Sequence, residues 1–214
     1  MRRIGAERHG DGADREDRTE EEMTAMNTPN RRHLVLVPAL AIGAVAVALA
    51  AEPQPSATGA AVSDAIAVLA PTQGQSVSGT VRFHREGDAV HVTGEISGLT
   101  PSAKHGFHVH EFGDCSAPDG ASAGGHFAPE AHPHGAPDPA THHAGDLGNI
   151  EADASGHAKV DVTVKGLALD SGERAIVGRA LIVHGGADDL TSQPAGNAGP
   201  RVGCGVIGVA KSGA

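Results

Sequence analysis

Between residues 113 and 146 the chain runs for more than thirty residues with neither helical nor strand periodicity, in a stretch rich in Gly, Pro and Ala that carries five His. Irregular stretches of that length are uncommon in compact domains unless they are functional or disordered. Five imidazoles in one such stretch point to ordering by metal. The loop therefore needs a rigid wall to rest on, and its flanks supply one.

On either side lie short runs of alternating or β-branched residues, at 65–69, 76–83, 89–96, 107–111, 158–164, 175–183 and 205–209. Val90-His91-Val92-Thr93 and Val160-Asp161-Val162-Thr163-Val164 alternate with period two, as strands with one buried face do. Turn residues such as Glu86-Gly87-Asp88 and Ala154-Ser155-Gly156 separate them. With no Trp or Tyr and four Phe, the core must come from Val, Ile, Leu and Ala, which suits short strands. The expected fold is all-β: an antiparallel Greek-key sandwich or barrel, immunoglobulin-like, with two long functional loops. The second loop runs from 188 to 200. A net charge of −10 lacks the basic footprint of a nucleic-acid binder.

The first quarter of the chain reads as an address. Asn30-Arg31-Arg32-His33 precedes the apolar run 34–50, which ends in small residues around Ala48-Leu49-Ala50. This is the pattern of a signal peptide, with a membrane anchor as the alternative reading. Residues 1–25 are polar and charged, so translation is expected to begin at Met23 or Met26. The expected organisation is a polar extension plus signal peptide over 1–51, a flexible linker over 52–63 and a domain over 64–214. The expected location is periplasmic or secreted, with no stable membrane insertion after cleavage. In such a compartment Cys115 and Cys204 are the only available pair. Two unpaired thiols are the alternative. A bridge would close a loop of about ninety residues and contribute on the order of 4–5 kcal/mol in the chain-entropy model.

Metal chemistry is written in the histidines. His108 and His110 stand two apart on an expected strand and share a face. His184 ends the apolar run 180–183, again at a strand terminus. His126, His134, His143 and Asp146 are spread along the long loop. Imidazole suits copper and zinc, and a carboxylate with three imidazoles completes a tetrahedral zinc site. The expected assignment gives His108, His110 and His184 to copper, and His134, His143 and Asp146 to zinc. His126, stripped of both ring protons, serves both. His105, His132 and His142 are expected to be solvated or loose extra contacts.

The segments FHVHEFG, GGHF, HGAPD, HHAGDLGN, IVHGGADDL and GNAGPRVGCGVI resemble the copper/zinc superoxide dismutase family, over roughly residues 64–210. The spacings of eight, nine and three from His126 through His134 and His143 to Asp146 are those of the family pattern. Cys115 directly after Gly113-Asp114 resembles the bacterial, exported members. The resemblance implies disproportionation of the superoxide anion to dioxygen and hydrogen peroxide, with copper and zinc as cofactors and His126 giving a proton to the departing peroxide. It implies an anion-guiding role for Arg201 and makes Asp188 a carboxylate linking a copper histidine to a zinc histidine. The family contains monomers and dimers, so a homodimer stays open. The loop 190–200 carries no Lys, Arg or Glu where family members often place steering charges, so slower or less salt-sensitive capture is expected. A metal carrier on the same scaffold would lack a copper ligand or the arginine, and a purely structural sandwich would be indifferent to chelation.

Overall fold

The computed structural model describes residues 61–137 and 141–213. The expected polar extension, signal segment and most of the linker lie outside the described residues. Eight strands follow in chain order: β1 (Asp64–Pro71), β2 (Ser78–Glu86), β3 (Ala89–Ser97), β4 (Lys104–His110), β5 (Asp146–Glu151), β6 (Ala158–Lys165), β7 (Ala180–His184) and β8 (Arg201–Val209). They form one antiparallel sheet in the order β5-β4-β7-β8-β1-β2-β3-β6. The edge strands β5 and β6 lie beside each other, so the sheet curls into a nearly closed barrel. Closing a sheet on itself removes most of the exposed edge that invites pairing with other chains.

Period-two alternation decides which side chains fill the barrel. Ala65, Ala67 and Leu69 of β1, Val81 and Phe83 of β2, Val90, Val92 and Ile96 of β3 and Val160 of β6 all point inward. Phe107, Val109, Leu181, Val183 and Ile207 close the core from the other wall. The β2–β3 hairpin turns at Gly87, whose φ of 64° is a backbone state that costs glycine little.

Three expectations change. The apolar run 175–183 yields a strand only from Ala180, because residues 175–179 turn back on themselves, with Arg179 Nε donating to the Ala175 carbonyl at 2.8 Å. β8 begins at Arg201 rather than 205, since His184 pairs with Arg201 in the β7–β8 ladder. β5, Asp-Leu-Gly-Asn-Ile-Glu, was not expected at all; it gives no clean alternation, with Gly148 at φ 81°, and owes its strand to pairing with β4.

β4 and β7 differ from the other strands in being buried on both faces: residues 105–110 and all five residues of β7 are buried. The inward face belongs to the core. The outward face lies under the long loop, which a second apolar cluster pins down. Ala123 of the loop packs with Ala180, Ile182 and Cys204, and with Cys115. Cys115 and Cys204 are joined by a disulfide, their Cα atoms 5.9 Å apart and 89 residues apart in sequence. Loop and wall are thus held together covalently where the histidines gather.

Candidate metal centre

Two groups of four donor side chains sit on this outer wall, all buried. His108, His110, His126 and His184 have ligand atoms within 4.8 Å of one another, and so do His126, His134, His143 and Asp146. His126 belongs to both. The strands bring the first group together: Phe107 pairs with Val183 and His108 with Ile182, which sets His184 at the end of β7 near the two β4 histidines. The ladders slip between Gly106 and His108 and between Val183 and His184. Such irregularities re-aim side chains, and here they fall beside ligand positions on both strands.

Hydrogen bonds determine which nitrogen of each ring is free. His110 Nδ1 donates to the Gly124 carbonyl at 3.0 Å and His184 Nδ1 donates to the Gly199 carbonyl at 3.2 Å. A neutral imidazole has one N–H, so the two Nε2 lone pairs face each other 3.4 Å apart. His108 Nε2 donates to Asp188 Oδ2 at 2.8 Å, leaving its buried Nδ1 with no partner. His126 Nε2 is likewise buried and unpartnered. Four lone pairs therefore turn toward one place with nothing of opposite charge to meet them. Such an arrangement is costly without a cation and natural around one.

The second group makes the same demand. Asp146 Oδ1 is approached by His126 Nδ1 at 2.8 Å, by His134 Nδ1 at 3.0 Å and by His143 Nδ1 at 3.3 Å, the last not aligned for a hydrogen bond. His134 also sets its Nε2 2.9 Å from Asp188 Oδ1, so both its nitrogens face carboxylate oxygens although a neutral ring can donate to only one. Three imidazoles and a carboxylate are a zinc-type donor set. Asp146 Oδ2 is oriented by the amides of Gly135 at 3.1 Å and His143 at 3.0 Å. The donors present thus fit a copper and a zinc ion.

Burial keeps His108, His110, His143 and His184 unprotonated. Burial, reinforced by His126, pushes His110 down to about 2; burial, reinforced by His108, pushes His184 down to about 3. Burial lowers His108 and His143 too. For Asp146 burial works the other way, but hydrogen bonds from His126 and Gly135 and the nearby imidazoles outweigh it and hold the carboxyl well below its usual range. Asp188 behaves alike: hydrogen bonds from His108 and from the Leu190 amide overcome burial.

Asp188 joins the two groups, one carboxylate oxygen on His108 and the other on His134. The side chains that hold it carry no local signal in the sequence, their partners lying far along the chain. Asn149 of β5 donates from Nδ2 to the Asp188 carbonyl at 2.9 Å and accepts from its amide at 2.8 Å. Gln193 grips the backbone of His134 in the same manner, accepting from its amide at 2.9 Å and donating to its carbonyl at 2.8 Å. Gly196 stands so close that a Cβ there would collide with Asp188 Oδ1 and His134 Nε2. Arg179 lays its guanidinium 3.4 Å from the centre of the Phe127 ring and donates to the Glu111 carbonyl, bracing the neighbours of His126 and His110.

Arg201 is half-buried and donates to the carbonyls of Gly120 and Gly124; the latter also accepts from His110, so the guanidinium stands one peptide away from the first group. His105 corrects an expectation. It is not solvated but buried, with Nδ1 donating to the carbonyl of His184 at 2.8 Å. His132 and His142 remain partly exposed outside both groups.

The chain matches the family model of copper/zinc superoxide dismutase over residues 77–207. A Cu-Zn superoxide dismutase of Cordyceps militaris is 47% identical over 142 residues, which span 63% of this chain and 91% of the relative. One of Paramecium bursaria Chlorella virus 1 is 46% identical over 157 residues, spanning 70% of this chain and 82% of the relative. Among solved structures, a crystal structure of the clock protein EA4 is similar with a TM-score of 0.64 and 41% identity, covering 70% of this chain and 96% of that one. The folded domain, the paired donor groups and these relatives agree, and the chain belongs to the copper/zinc superoxide dismutase family.

Proposed function

We propose that His108, His110, His126 and His184 hold copper, that His126, His134, His143 and Asp146 hold zinc, and that this centre disproportionates superoxide outside the cytoplasm. The observation that carries the reading is the place of His126 in both donor groups. Bound copper supplies the one-electron redox chemistry, and zinc a fixed charge with no redox of its own.

The protein's own part is positioning, proton handling and attraction of the anion. Asp188 holds His108 and His134 by their Nε2 atoms, so that both rings present Nδ1 to the centre. His126 keeps Nδ1 turned to the Asp146 group, and its Nε2, when not ligating copper, would carry the proton that the departing peroxide takes up. Arg201 and the centre's own charge draw in an anionic substrate against a net charge of −10.

Metal analysis coupled to an activity assay tests the reading, with His126→Ala beside the unaltered protein. We expect one copper and one zinc per chain, and a loss of roughly 10²–10⁴-fold in rate for the variant. Copper-free active protein, or a fully active variant, would overturn it.

Export rests on the apolar run 34–50 behind Arg31-Arg32 and on the disulfide. N-terminal sequencing of the protein from fractionated cells tests it, and an uncleaved chain in the cytoplasm would refute it. A homodimer rests on outward apolar side chains on one side of the barrel. Val68 of β1 and Val206 of β8 are exposed on adjacent strands, the backbone at Gly113 approaches Val206, and Phe112 beside it is exposed. Sedimentation equilibrium decides the matter, a monomer at high concentration being the contrary outcome.

A further inference from the structure

The wall opposite the buried centre carries a second gathering of metal-binding side chains. In the β1–β2–β3 ladders Asp64 pairs with His84, and His84 pairs with His91. Directly opposed residues on neighbouring strands share a face, with Cβ atoms about 4.5–5.5 Å apart. Glu86, two residues beyond His84 on β2, lies on that face too. The three side chains are open to solvent, 55% for His84, 33% for His91 and 48% for Glu86.

Their hydrogen bonds are those of ligands in waiting. His84 Nδ1 donates to Asp64 Oδ1 at 2.8 Å, which leaves Nε2 as a lone pair with no partner among the described residues. His91 Nε2 donates to Asp161 Oδ1 at 2.9 Å, which leaves Nδ1 as a lone pair. That lone pair faces Glu86 Oε1 at 3.5 Å. In the neutral ring these two acceptors repel unless a proton or a metal ion lies between them. Metal-bound histidines almost always give their other N–H to a carboxylate, and here Asp64 and Asp161 already take that part. Two cations neighbour this set: Lys159, 3.9 Å from Asp161 Oδ2, and Arg82, two residues before His84 on β2 and on the same face.

We propose that this face is a third metal site, in which His84 Nε2, His91 Nδ1 and the Glu86 carboxylate take a divalent borderline ion such as Zn(II). Two imidazoles and one carboxylate form a zinc-type set that leaves a position for water. Among the described residues only the two buried groups are already gathered within 4.8 Å. The exposed His84 and Glu86 side chains therefore close around the ion as it binds, which makes the site weaker and more exchangeable than the buried pair. An ion held there ties β2 to β3 and, through Asp64, to β1.

Equilibrium dialysis of the holoenzyme against zinc, read by atomic emission, tests the site. With copper and zinc already filling the buried groups, the protein should take up one further zinc per chain. His84→Gln and His91→Gln should each weaken that uptake at least tenfold. They should also abolish a zinc-dependent rise in the midpoint of thermal unfolding while leaving dismutase activity intact. Absence of the extra equivalent overturns the proposal, and so does an extra equivalent bound equally well by both variants.

Discussion

His126 Nδ1 stands 2.8 Å from Asp146 Oδ1, while the ring's other nitrogen is buried without a partner and turned to three more imidazoles. One side chain thus couples the two donor groups, and the carboxylate that holds it is itself a member of the second. Asp146→Asn removes the negative charge at that hub. Zinc affinity should fall by more than the roughly 10–100-fold expected of an outer partner's loss. Zinc release to a chelator measures it, and unchanged release would contradict the assignment.

Asp188 acts one step further out. Asp188→Ala leaves His108 Nε2 and His134 Nε2 without their acceptor, and metal affinity should fall by about 10–100-fold. Gly196→Ala should imitate it, since a Cβ at φ 63° there runs into Asp188 and His134. Competition for zinc and copper with graded chelators compares the two variants, and a Gly196→Ala protein with unaltered affinities would count against this packing.

Steering should rest on few charges. Arg201→Ala removes the cation nearest the first group, and kcat/KM should drop by roughly tenfold or more. With no Lys, Arg or Glu in 190–200, the unaltered protein should show a shallow dependence of kcat/KM on ionic strength. A steep fall with added salt would show that other surface charges guide the anion.

Cys115→Ala should destabilise the domain by about 2–5 kcal/mol, because the bridge closes 89 residues and anchors the loop through Ala123, Ala180 and Ile182. Denaturant unfolding of both proteins gives the difference. A difference near zero would mean that the apolar cluster alone holds the loop.

The metal-free protein should lose stability in acid. Burial holds His110 down to about 2 and His184 to about 3 in the fold, against an ordinary value of 6.5. Between 6.5 and about 3 the unfolded chain binds protons at these rings that the folded chain refuses. Stability is therefore full above 6.5 and declines as pH falls through this window. Thermal midpoints of apoprotein across pH check the sign, a rise on acidification being the contrary result.

Much of the centre was legible because its signals are local. His108 and His110 share a face by the period of a strand, and the loop histidines stand out in a long stretch with no helix or strand periodicity. The strands at 65–69, 89–96 and 158–164 followed from alternation. β5 did not, for Asp146–Glu151 alternates poorly and becomes a strand only beside β4. His105 read as solvated or as a loose extra contact because burial on both faces of β4 depends on what later covers it. Asn149 and Gln193 carried no local signal, their partners lying 39 and 59 residues away.

Residue order alone determined the donor types, their spacing and the β character of the wall, since periodicity and composition act over a few neighbours. Tertiary structure decided which nitrogen of each ring is free, that Asp188 spans both groups, and that His84 and His91 stand opposed on the outer wall. Those outcomes depend on strand register and on hydrogen-bond partners far along the chain, and neither is encoded in any single segment.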